Sequence, residues 1–307
     1  MIKKITVTNY LGDTIELELA RPEKSGFLIR SITGLGPPKA TINTTEVATN
    51  DGSLFNSSRA SQRNIVIDLV FVDSVLNETI EDLRQKTYKY FPQKRDISLI
   101  IETDNRRVST SGYVESNEPN IFSEQENTTI SIICPDPYFY AITEDGNQTT
   151  DFYSVEPIFE FPFSNESLSE KLIEMSSMEM KSEGVVVYEG DADVGVSIFI
   201  HAIGDASGIN IYNTEVREYM RIDTNKILAY TGKGVSAGDD IIITTSTNSK
   251  GIWLQRQGVT YNILNCLDKN TDWFTLRRGD NIFAITADGG VSNLQFRIEN
   301  KIVYWGV

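Results

Sequence analysis

The sequence predicts a mainly β protein of two domains, with one helix in the first. Three observations carry this reading. Apolar residues recur at every second position in most stretches, and only 77–91 shows three- and four-residue steps. Short β-branched runs separated by Gly-, Asp- and Asn-rich turns fill the second half. A chain of 307 residues that is 40% hydrophobic and 23% charged can fill two cores.

The elements follow in order. Ile5, Val7 and Asn9 alternate, and Ile15-Glu16-Leu17-Glu18-Leu19 does so strictly after the Gly12-Asp13 turn. Residues 34–63 show no strong period. They open with Gly and Pro, continue with Asn, Thr, Ser and Arg, and read as a loop of nearly thirty residues, a length usually tied to function. A long β-branched run follows at 64–72. In 77–91, Ile80, Leu83, Thr87 and Phe91 fall on one helical face, with Asn77 as the N-cap and Pro92 as the stop. Strands are expected again at 97–103 and 128–134. A polar stretch at 143–151 suggests a boundary, which divides the chain into 1–140, a connecting or arm segment 141–183, and 184–307. Within the connector, 158–161 reads as a strand and 165–183 as a short helix or a protruding arm. The last segment is a string of short strands, including 185–188, 196–201, 209–212, 241–244, 251–254, 281–285 and 294–298, the pattern of a β-sandwich.

Charge narrows the function. The net charge is −15, and residues 141–307 hold 24 acidic against 13 basic side chains. No basic patch is present to neutralise phosphates, so specific nucleic-acid binding is not expected. No apolar run has the length of a membrane span, and the N-terminus lacks the apolar stretch of a signal peptide, so synthesis in a cytoplasm without membrane insertion is expected. Cys134 and Cys266 are far apart and read as buried free thiols.

No catalytic set, cofactor site or metal site stands out, and the expectation is a protein that is not an enzyme. The only histidine, His201, lies in an alternating strand, and no second histidine is present to partner it. Asp239 and Asp240 follow Gly238 and read as turn residues. Asp191 and Asp193 lack the spacing of a calcium loop. Gly34-Leu35-Gly36-Pro37-Pro38-Lys39 lacks the Gly-Lys-Ser/Thr ending of a phosphate loop, and its prolines remove N–H donors. Aromatic residues are frequent in the second half. Trp253, Trp273 and Tyr261 are candidates for stacking on sugar rings, against a simpler reading as core packing.

Several ordered segments point further. They are Gly34-Leu35-Gly36-Pro37-Pro38-Lys39-Ala40, then 51–59 (Asp-Gly-Ser-Leu-Phe-Asn-Ser-Ser-Arg), Arg63-Asn64-Ile65-Val66-Ile67, Tyr88-Lys89-Tyr90-Phe91-Pro92, Gly112-Tyr113-Val114-Glu115, Cys134-Pro135-Asp136-Pro137-Tyr138-Phe139, Asp272-Trp273-Phe274 and Tyr304-Trp305-Gly306-Val307. Together they resemble the distal tail proteins of siphophages and related prophage tails, in particular those infecting Gram-positive bacteria. The resemblance implies an N-terminal β-rich belt domain that builds a ring, usually a homohexamer, and a C-terminal galectin-like β-sandwich that projects outward. It implies a place at the virion tail tip, where the ring joins the tail tube protein to the tail-tip hub or fibre protein and can carry receptor-binding proteins. A closed ring needs head-to-tail contacts between copies. Within 34–63, Arg59, Arg63, Asn43 and Asn56 are the candidate interface residues. The alternative is a host cell-surface carbohydrate-binding module in the C-terminal sandwich.

Overall fold

The computed structural model describes residues 1–46, 51–72, 77–143, 147–157, 176–247 and 249–307. The expected strand at 158–161, and 165–175 of the expected helix or arm, lie outside them. The chain forms two compact units. The first comprises Met1–Glu144 together with Val303–Val307, and the second comprises Asp145–Ile302. The last five residues therefore belong with the first unit, although the sequence reading had left them at the end of the second domain.

The first unit contains β1 (Ile2–Asn9), β2 (Thr14–Glu18), β3 (Phe27–Thr33), β4 (Ala40–Glu46), β5 (Ser53–Ala60), β6 (Arg63–Phe71), α1 (Ile80–Tyr90), β7 (Asp96–Thr103), β8 (Arg107–Asn120), β9 (Asn127–Cys134) and β10 (Phe139–Ala141). One antiparallel sheet runs β2-β1-β7-β8-β9-β6-β3, and β10 pairs with β8. Period-two alternation sends Ile5, Val7, Leu17, Ile65, Ile67, Leu69, Ile97, Leu99, Ile101, Ile130 and Ile132 into one core. Leu83 and Phe91 join them from the α1 region, so the helix covers part of that face. The N-cap of α1 is Thr79 and not Asn77. The Thr79 hydroxyl accepts from the Asp82 amide at 3.2 Å while the Asp82 carboxylate accepts from the Thr79 amide at 2.9 Å, a reciprocal box. Asn77 instead sits in the left-handed region, at φ 54°.

Residues 34–63 are not a loop. β4 and β5 form a separate two-stranded antiparallel ladder, from Ala40↔Ala60 to Glu46↔Ser53, with a bulge beside Asn43. Thr41, Ile42, Thr44 and Thr45 in β4 and Phe55 in β5 have strand propensity, but neither face of the hairpin is buried. Without a buried face there is no apolar alternation to read.

The second unit contains β11 (Gln148–Asp151), β12 (Tyr153–Pro157), β13 (Ser176–Met180), β14 (Glu183–Tyr188), β15 (Val194–Gly195), β16 (Ser197–Ala202), β17 (Ser207–Asn213), β18 (Glu218–Ile222), α2 (Thr224–Thr231), β19 (Asp240–Thr244), β20 (Gly251–Arg256), β21 (Val259–Asn262), β22 (Thr275–Leu276), β23 (Gly279–Gly289) and β24 (Leu294–Asn300). Sheet β11-β24-β16-β19-β20-β21 and sheet β14-β23-β17-β18 share one core. Ile198, Ile200, Ile241, Leu254 and Phe296 face Val186, Ile209, Ile211, Met220 and Phe283 across it. This is the expected sandwich. α2 adds a helix that the sequence reading did not anticipate, with Ile227 buried. β12 pairs with β13, so 176–180 of the expected helix or arm is a strand. The chain then returns to the first unit as β25 (Val303–Tyr304), which pairs with β10.

Candidate assembly site

The β4–β5 hairpin is the most exposed ordered element of the first unit. Its strands are pinned to each other by polar rungs. Asn43 Nδ2 donates to Ser57 Oγ at 3.0 Å, and Asn56 Nδ2 donates to Thr45 Oγ1 at 2.6 Å. Asn43 and Asn56 therefore hold the hairpin's own shape. Ile42, Leu54 and Phe55 are 63%, 61% and 65% exposed. The register places Ile42 and Phe55 on one face, and Leu54 with Arg59 on the other. Arg59 is exposed and makes no side-chain hydrogen bond or ion pair among the described residues.

Arg63 behaves differently. It is 1% exposed, at the start of β6. Its guanidinium donates to the carbonyl oxygens of Gly34 (2.5 Å), Gly36 (2.6 Å), Pro137 (2.7 and 2.9 Å) and Trp305 (2.6 Å), and lies 4.2 Å above the Phe139 ring. All of its donors are directed at acceptors of its own chain, so it is no anchor for a second subunit. Burial lowers its pKa below the usual arginine value.

Three segments quoted for the resemblance meet at this one side chain. Gly34 and Gly36 lead into the hairpin, Pro137 closes the β9–β10 connection, and Trp305 lies in the C-terminal tail. Gly34 has φ +85°, and a Cβ there would collide with the Asn64 carbonyl oxygen. The Gly-x-Gly segment thus turns carbonyls toward a cation, which is the reverse of a phosphate nest. Around this node, Trp305 packs on Tyr138 at 4.7 Å between ring centroids. Arg106 lies 4.0 Å over Tyr304 and donates to the Gly306 carbonyl at 3.0 Å. The Val307 amide donates to the Leu35 carbonyl at 3.1 Å. The tail therefore braces the root of the hairpin. Gly112 is explained by packing, since a Cβ would come within 2.8 Å of both Cys134 Sγ and the Ile133 carbonyl oxygen.

The sugar-stacking candidates separate in the second unit. Trp273 and Tyr261 are half-buried and pack against the core. Trp253 lies on the outer face of β20, with its ring over Gly251, where a Cβ would collide with it. His201 Nδ1 is 2.6 Å from Asp240 Oδ1 on that same face. Asp239 closes the turn before β19, its amide donating to the Ser236 carbonyl at 3.1 Å; it is also 2% exposed, its carboxylate held by Arg256 through Nε–Oδ1 (2.7 Å) and Nη2–Oδ2 (2.6 Å) and by the Ser236 amide (2.9 Å). Burial pushes the Asp239 carboxyl up, but these donors outweigh it and leave it below the usual range. Asp191 lies 3.7 Å from Arg278. Among the described residues, no group of three or more His, Cys, Asp or Glu is placed to hold a metal ion, and no helix is long and apolar enough to cross a membrane. Cys134 and Cys266 are both free and buried.

No protein-family model matches the sequence, and no curated protein matches it. Solved structures do match. The SPP1 Dit protein, described as a paradigm of the hub adsorption apparatus of Gram-positive-infecting phages, aligns over 97% of this chain and 98% of its own. The TM-score is 0.59 at 14% identity. A chain of the phage P2 baseplate in its calcium-activated conformation aligns over 98% of both chains at 12% identity. Its TM-score of 0.40 is too low to support an argument. The likeness is one of fold, and the mainly β fold implied by the resemblance to distal tail proteins is the fold this chain has.

Proposed function

We propose that this chain is the subunit of a tail-tip ring, in which the β4–β5 hairpin reaches a neighbouring copy. The observation that carries the reading is the hairpin itself. It is an ordered ladder with three large apolar side chains turned to solvent, and its root is braced by Arg63 and the C-terminal tail. Exposed apolar groups on an ordered element cost solubility and are kept where a partner covers them. Identical subunits joined head to tail close into a ring when the rotation allows. The likeness to SPP1 Dit supports a place in a phage adsorption hub, and the sequence resemblance to distal tail proteins implies a homohexamer between the tail tube protein and the tail-tip hub or fibre protein. Its work is assembly and not catalysis.

Light scattering with negative-stain imaging tests this. Six chains of 34.4 kDa give a particle of about 206 kDa with a central opening. Phe55→Asp with Leu54→Asp should reduce it to monomers while the β circular dichroism is kept. A ring unaffected by these substitutions would remove the hairpin from the interface. A chain that stays monomeric alone and with tail tube and tail-tip proteins co-expressed would overturn the ring.

A further inference from the structure

The outer face of the sheet containing β16, β19, β20 and β24 carries two cross-strand rows. One reads Gln295, His201, Asp240, Gln255, and the next reads Arg297, Phe199, Ile242, Trp253. Alternation sends the intervening Ile198, Ile200, Ile241, Leu254 and Phe296 into the core, so these rows are the solvent side of a rigid sheet. A depression of about 410 Å³ lies over the first row, bordered by Tyr153, Phe199 and Arg297. His201 and Asp240 are held together at 2.6 Å, and the Arg297 guanidinium lies 4.8 Å over the Phe199 ring. Among the described residues, the Nε of Arg297 is buried without a hydrogen-bond partner, while its Nη2 lies 3.2 Å from Glu299 Oε1.

We infer that this face is a saccharide-binding site, with Gln295, His201, Asp240 and Gln255 reading ring hydroxyls and Trp253 supplying the apolar stacking surface. The chemistry selects the ligand. The first row offers donors and acceptors side by side on amide, imidazole and carboxylate groups, which suits hydroxyls that both donate and accept. Strand spacing spreads it over about 14 Å, comparable with a short oligosaccharide. Trp253 lies beside the depression and does not line it; its ring rests over Gly251 in the next row and suits the C–H face of a second pyranose unit extending from the depression. A protein partner would need an exposed apolar centre. Phe199, Ile242 and Trp253 are only partly exposed, and the most exposed large apolar side chains among the described residues of this unit lie outside these rows. The surplus of acid in 141–307 disfavours nucleic acid. The site goes beyond the ring reading, which does not require it.

His201 is the only histidine of the chain, so its imidazole protons report on the site without ambiguity. The full-length protein is titrated with the methyl glycosides of glucose, galactose and N-acetylglucosamine while these signals are followed by NMR. At least one glycoside should shift them saturably. Trp253→Ala and Gln255→Ala should each weaken that binding about tenfold, with the oligomeric mass unchanged. Gln255 is exposed, so its variant tests the site even if the tryptophan variant folds poorly. Imidazole signals that none of the glycosides moves, or binding that both folded variants retain in full, would overturn the assignment. Neither result bears on the ring.

Discussion

Arg63 shows how much one side chain can organise. A guanidinium has five donors in a fixed fork, and here they reach four carbonyls contributed by three separated stretches of chain. Arg63→Ala would strand these buried acceptors, each costing about 1–3 kcal/mol when unsatisfied. The first unit should lose more than about 3 kcal/mol in urea denaturation, and Arg63→Lys should recover only part, since an ammonium cannot reach the same spread of oxygens. Glu218 gives a prediction of opposite character. Burial raises its pKa, with the nearby Asp272 charge adding to this and the Thr275 amide opposing it. A carboxylate raised in the folded state is strained when ionised, so its cost is present at neutral pH and relieved as pH falls through the raised folded value. Glu218→Gln should therefore stabilise the second unit at pH 7, with the advantage shrinking in acid. Thermal melts across pH would show it, and an advantage independent of pH would contradict the assignment. The sequence did not distinguish Arg63 from Arg59. Both are arginines beside a polar segment, and only the folded chain brings the backbone of Gly34, Pro137 and Trp305 to one of them.

At the scale of elements, strands with one buried face were legible and the others were not. β1, β2, β6, β7 and β9 alternate because the sheet buries every second side chain. The β4–β5 hairpin buries neither face, so its strands read as loop although their register is continuous apart from one bulge. α2 was missed for another reason. Eight residues give too few turns for a clear period, yet its boundary signals were present in Asp223, whose side chain caps the Asn225 amide at 3.0 Å, and in the left-handed Gly232. α1 had a clear period but a misplaced start, because Asn77, Glu78 and Thr79 all precede the apolar face and only Thr79 stands three residues before Asp82 in the box spacing. Thr79→Ala should cost about 1 kcal/mol of stability in the first unit, and Asn77→Gly should be neutral or slightly stabilising because Asn77 already has positive φ. Denaturant midpoints of the two variants, compared with the parent, decide between the caps.

For the whole molecule, the connectivity carries a consequence that composition could not show. The chain leaves the first unit after β10 and re-enters it at β25, so the second unit is an insertion between two paired strands. Tyr140 pairs with Val303 and Phe139 with Tyr304, and the two ends of the insertion therefore lie side by side. A two-residue Asn-Gly turn can join strands in that arrangement. Replacing 141–302 by such a turn, so that it joins the Tyr140–Val303 pair directly, should leave a first unit that folds cooperatively, because every acceptor of Arg63 and the Arg106–Gly306 bond are retained. Stopping the chain at 141 should give a weaker fold, since it removes the Trp305 and Gly306 carbonyls and the Tyr304 and Trp305 rings together. If the joined unit melts as cooperatively as its counterpart in the full chain and also forms rings, assembly resides in the first unit and the inserted sandwich is free for another task. If it folds but stays monomeric where the full chain forms rings, the sandwich contributes to the ring contact and the hairpin alone does not suffice.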